Sequence, residues 1–204
     1  MSSARKLSFA GPCIENRKPR IGGGALIQDF VEWPIAPDGE PLTLVLSMPA
    51  SFLNENAGLN IPAGLHVSVF SYYSKSKYFL DCITYHGSSE ELEWIRKGCT
   101  RVIIHRPESE VFGHHVIPAI AVDTGSEAEN AYGGSKIGGD STLLQNEALA
   151  LGKEKFALQL YGGDFPSPYR GVLGLTDAVG YLYIDPMRWR STPADAGTFF
   201  VQVT

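Results

Sequence analysis

The sequence predicts an α+β chain dominated by β-strands, with few short helices and two related β-rich halves about a pseudo-twofold axis. Three observations carry this. Glycine (22) and proline (13) are abundant, which favours turns and short strands over long helices. The apolar runs are short and rich in β-branched and aromatic residues. An uncommon phrase also occurs twice, as "PRIGGGALIQDF" from Pro19 and "SKIGGDSTLLQN" from Ser135. The two Ile-Gly-Gly steps lie 116 residues apart, and two later pairs keep nearly that spacing: "LTLVL" at 42 with "FALQL" at 156, and "HVSVF" at 66 with "YLYID" at 181. The order predicts one domain over 1–204, with repeat halves at about 21–122 and 135–204.

The elements follow in order. Residues 1–20 read as an irregular, partly basic lead-in, and the glycines after Ile21 as a turn or a close backbone approach. "WPIAPDGEP" (33–41) is a loop with a tight turn at Asp38-Gly39. Strands are predicted at 42–48 and 61–73, where Leu65, Val67 and Val69 alternate with His66, Ser68 and Phe70, and at 78–86. A short helix over 50–59 ends near Gly58. The helix at 87–98 has the clearest signature. Ser88 caps it, Glu91 completes a capping box, acidic residues fill its first turn and Gly98 stands at its stop. Further strands are predicted at 99–106, 114–122, 156–162, 179–186 and 197–204. The polar, glycine-bounded stretch 123–134 reads as a joint between halves.

Composition narrows the function classes. A net charge of −5 argues against nucleic acid, whose phosphates demand Lys and Arg. Three widely spaced cysteines give neither a disulfide framework nor a CxxC, so reduced thiols and a cytoplasmic location are expected. No apolar run reaches membrane-spanning length, and no secretory or lipidation signal is read.

The order of the landmarks resembles the YwqG-like family, a bacterial domain of unknown function. The matching residues are Ile21–Gly23, Trp33-Pro34, Gly39–Leu42, Pro62–Leu65, Ser135–Gly139, Gln145, Gln159, Gly180-Tyr181 and Phe200–Gln202. Two departures stand out: Ser47 where the family carries glutamine, and Gly24 and Asp140 where proline commonly follows Ile-Gly-Gly. The resemblance implies a duplicated, β-dominated fold and no established enzymatic activity. Family members often sit beside polymorphic toxins, which implies an immunity protein that neutralises a cognate toxin or effector by occlusion; the chain's own acidic charge suits a basic partner.

Catalytic and metal motifs are absent. The stretch from Gly133 to Gly139 fails the Walker A spacing and opens no GxGxxG turn. No GxSxG elbow, HExxH or HxH occurs. His114-His115 would point to opposite faces of a strand, a poor chelate. His66, His86 and His105 read as structural, hydrogen-bonded histidines. Cys82, inside an apolar strand, reads as an inert thiol. No catalytic residue, metal or cofactor is therefore expected. The candidate partner surface comprises Glu90, Glu91, Trp94, Glu108, Glu110, Phe112, His114, Glu127 and Glu129, acids to steer a basic partner and aromatics to anchor it. The alternative is a small-ligand or anion site at the paired turns, formed by Arg20, Gly22, Gly23, Lys136, Gly138 and Gly139.

Overall fold

The structure, a computed structural model, describes residues 3–27, 32–74, 76–129, 131–145, 149, 151–167, 169–173, 176–190 and 195–203. Its centre is one ten-stranded sheet in which every neighbouring pair is antiparallel. The strands are β1 (Arg5–Pro12), β2 (Arg20–Ile21), β3 (Thr43–Pro49), β4 (His66–Ser71), β5 (Thr100–His105), β6 (Ile120–Glu127), β7 (Lys136–Ile137), β8 (Lys155–Tyr161), β9 (Val179–Ile184) and β10 (Gly197–Gln202). Their order is β10-β9-β8-β7-β1-β6-β2-β3-β4-β5. A central pair, β1 and β6, is thus flanked by two four-strand runs, each starting at a two-residue strand that ends in Ile-Gly-Gly.

The sheet nearly closes on itself. Ala196 N donates to Val102 O, and Thr100 Oγ1 donates to Phe199 O, each at 2.7 Å. This covers edges that would otherwise present unpaired backbone groups. Val67, Val69, Val102, Leu158, Leu182 and Phe199 belong to one large buried cluster drawn from both runs. On the other face of β9 and β10, Tyr181, Tyr183 and Phe200 form a second cluster with Tyr85, Leu92 and Ile95.

Two helices match their sequence signals. α1 (Ala50–Ala57) stops at Gly58, whose φ of 65° is left-handed. α3 (Ser89–Trp94) has the complete capping box of Ser88 and Glu91. It then widens into a π turn over Ile95–Cys99, where Gly98 has φ 136°. Asp38-Gly39 forms the expected turn, with Gly39 N donating to Ala36 O at 2.9 Å.

Four expectations are corrected. The lead-in contains β1, a full strand at the centre of the sheet; only Leu7 along it is buried, so its apolar signal is thin. The 78–86 strand is a one-turn helix, α2 (Leu80–Ile83), followed by a bridge from Thr84 to Val201. The 114–122 strand begins at Ile120 and runs through the supposed joint to Glu127 as β6. Both landmark alignments also slip by two residues. Ser47 stands opposite Arg20 as Gln159 stands opposite Lys136, which sets Leu44, not Leu42, against Phe156. Among the described residues no helix is long and apolar enough to cross a membrane.

Candidate functional site

Both runs carry buried polar side chains, but they spend them differently. On the second run Gln159 accepts from Thr142 N at 2.9 Å and donates to Gly134 O at 2.9 Å and Tyr132 O at 3.2 Å. Gln202 accepts from Leu144 N at 2.9 Å. Tyr181 and Tyr183 donate to Thr142 O and Ser141 Oγ, each at 2.7 Å. These bonds strap residues 141–144 over the sheet. A buried polar group needs such partners to offset its desolvation.

On the first run Ser47 holds the position opposite Arg20 that Gln159 holds opposite Lys136, and its side chain is much shorter. It bonds instead to His66 Nε2 at 2.9 Å. Ser68, the next serine on that face, bonds to His105 Nε2 at 2.9 Å. His105 Nδ1 lies 2.7 Å from the Arg106 carbonyl. That carbonyl can only accept, so Nδ1 carries the proton and Ser68 donates to Nε2. The imidazoles lie 6.0 Å apart, centroid to centroid. Burial foremost, then the charges of His105, Arg20 and Arg17, push His66 down to about 3. Burial lowers His105 as well. Both rings are neutral at neutral pH. Ser68–His105–carbonyl has the connectivity of a nucleophile, base and orienter. The hydroxyl is wholly buried, and a carbonyl replaces the carboxylate that would stabilise an imidazolium. The expectation of hydrogen-bonded structural histidines holds for His66 and His105.

The glycine turns are structural. Gly22 and Gly23 have φ of 62° and 80°, and Gly138 and Gly139 have 74° and 66°, the left-handed region glycine adopts without strain. A Cβ on Gly22 would overlap the Ile117 carbonyl. Arg20 is fully buried. It donates from Nη2 to Gly24 O at 2.6 Å and to Glu110 Oε1 at 3.1 Å, and from Nε to Gly22 O at 3.3 Å. Burial lowers its pKa while Glu110 opposes the shift. Lys136, also fully buried, donates to Thr142 Oγ1 at 2.8 Å. β1 and β6 separate the two turns, a gap of about 14 Å at ordinary strand spacing. Arg20 and Lys136 therefore do not converge on one anion, and Arg20 is occupied by a carboxylate of its own chain.

The candidate partner residues divide among three places. Glu90, Glu91 and Trp94 lie on α3, which feeds the Thr100 end of β5; Glu91 is held by the cap and by His86 Nδ1 at 3.1 Å. Glu108, Glu110, Phe112 and His114 follow the opposite end of β5, about 17 Å away at strand rise. Glu127 ends β6 beside Arg5, with Glu129 beyond it. Glu110 faces inward to Arg20, so it does not serve as a free surface acid. His114 and His115 sit in a bend rather than a strand, with their rings 5.3 Å apart. Among the described residues, no group of three or more His, Cys, Asp or Glu could hold a metal ion.

Sequence reasoning named Phe112 at this end but missed the exposed apolar residues that accompany it, Ile14 and Val116. From Phe112 to Pro118 alternate residues point outward: Phe112 is 63% and Val116 47% exposed, and Ile14 on the neighbouring segment is 95% exposed. Cys13 N donates to Ala119 O at 2.9 Å, and Asn16 Nδ2 donates to Glu110 Oε2 at 3.2 Å. These bonds tie the two segments side by side. Val111 exchanges backbone bonds with Ala25, and Gly23 N donates to Ile117 O at 2.7 Å. The trio thus stands on backbone pinned to the sheet. Cys13, Cys82 and Cys99 are free thiols, with burial pushing Cys99 up to about 12; Cys82 is half-buried on α2 rather than inside a strand.

No protein-family model matches this chain, and no curated protein matches it.

Proposed function

We propose that this chain is a non-enzymatic binding protein of the immunity type, one that neutralises a cognate toxin or effector by covering its working surface. The pinned apolar face of Ile14, Phe112 and Val116 carries this reading. Large exposed apolar groups held on fixed backbone supply binding energy with little ordering cost, and an aromatic such as Phe112 suits the central anchor. His114 projects from the same face. The resemblance to YwqG-like proteins supports the kind of partner. The acids on α3 and at the end of β6 lie elsewhere, so the footprint centres on 13–16 and 110–118 rather than on the whole of 86–132.

We also read the two four-strand runs as copies of one ancestral unit placed about the β1–β6 pair. Their matching strand order and the paired Ile-Gly-Gly turns support this.

The test is co-expression with the protein encoded beside this gene, assayed for toxicity on its own. Wild type restores growth and forms a stable complex. Phe112→Asp with Val116→Asp loses both while keeping the melting temperature. Absence of a complex and of rescue by the wild type overturns the reading.

A further inference from the structure

A second feature of the same end of the sheet points to a small molecule. A cleft of about 930 Å³ opens between the entry to β4 and the exit from β5, bounded by Arg17, Leu65, His105, Arg106, Glu108 and Trp189. Sites for small organic ligands span about 300–1,000 Å³, so this one has room for a ligand with an apolar body as well as a charged head.

Its charge is unspent. Arg17 and Arg106 are both exposed, and no carboxylate of the described residues lies within ion-pair distance of either. Two nearby acids outside the lining are engaged elsewhere: Glu15 holds Lys18 at 2.7 Å and Glu110 holds Arg20 at 3.1 Å. Arg17 lines the cleft together with His105, so it stands at the mouth of the Ser–His layer. The floor is His105, fixed by Ser68 and the Arg106 carbonyl. That ring is kept neutral by burial and so neither attracts nor repels an anion. Leu65 and the half-buried Trp189 supply apolar walls. Glu108 shares the rim, which disfavours ligands carrying several negative charges.

We infer that this cleft binds a small organic molecule with one oxyanion head, a carboxylate or a phosphate, set between Arg17 and Arg106 with its apolar body against Trp189. Guanidinium forks suit such heads because they donate in pairs to planar oxygens. The inference is independent of the partner-binding reading, since a ligand here needs no toxin. It also differs from an anion site at the glycine turns, whose Arg20 is already paired with Glu110.

The probes are benzoate and phenyl phosphate, titrated into the whole chain while the indole N–H resonances of its three tryptophans are followed by NMR. The Trp189 resonance is expected to shift saturably with at least one probe, while those of Trp33 and Trp94 stay in place. Inorganic phosphate binds more weakly than phenyl phosphate, because it lacks the apolar body. Arg17→Gln and Arg106→Gln each raise Kd about tenfold or more. Both positions are exposed, and an unmoved Trp33 resonance reports that the variants keep their fold. No saturable shift with either probe, or unchanged affinity in either variant, overturns the proposal.

Discussion

Lowering the pH from about 7 to about 5 should destabilise this protein by an amount traceable to His66. The folded chain holds that imidazole at about 3, against an ordinary value of 6.5. Below 6.5 the unfolded chain takes up a proton that the folded chain refuses. Stability is therefore full above 6.5 and falls as pH drops toward 3. Each pH unit inside that window costs about 1.4 kcal/mol, so pH 5 removes about 2 kcal/mol through His66 alone. That is a large part of a typical domain stability of about 5–15 kcal/mol. His105, lowered by the same burial, adds in the same direction. The assay is urea unfolding at several pH values, for wild type and for His66→Gln, whose amide can still meet Ser47 but cannot titrate. The variant should show a shallower pH slope, by up to about 1.4 kcal/mol per unit. Identical slopes in the two proteins would refute the assignment.

Other outcomes follow from the same structure. Gly22→Ala forces a side chain into a left-handed backbone and onto the Ile117 carbonyl; the expected loss is about 2 kcal/mol or more, read as a lower urea midpoint. Ser88→Ala removes one half of the capping box on α3 and should cost about 1 kcal/mol, with faster amide exchange at the start of that helix. Phe112→Asp should leave the melting temperature unchanged, since the ring is largely exposed. It should weaken partner binding about 30-fold or more, the scale of losing a central aromatic anchor.

Legibility in the sequence followed local signal strength. The capping box at Ser88 and Glu91, the glycine stop of α1 and the apolar strands β3, β5, β8, β9 and β10 were readable because a few neighbouring residues decide them. β1 and β6 were not. Along Arg5–Pro12 the apolar positions are few, and "DTGSE" in β6 resembles a linker; both are strands because the sheet supplies partners on each side. α2 misled in the opposite way. "YFLDCITYH" has strand composition, but the chain turns through one helical turn there, and Thr84 and Tyr85 meet the edge of β10 only after it. Ser47 was visible as a departure from the glutamine pattern. Its consequence, a Ser–His layer where the other run has a strapped loop, needed the pairing across strands. The cleft between Arg17 and Arg106 lay beyond any spacing rule, because the sheet alone brings the 13–19 segment to the end of β5.

Hydrogen exchange of the chain with and without the protein encoded by the neighbouring gene is the most direct test of the proposed binding face. Protection on binding is expected to concentrate in 13–16 and 110–118, around Ile14, Phe112 and Val116, and to leave α3 unchanged. Protection confined to α3 or the end of β6, or no complex at all, would contradict it.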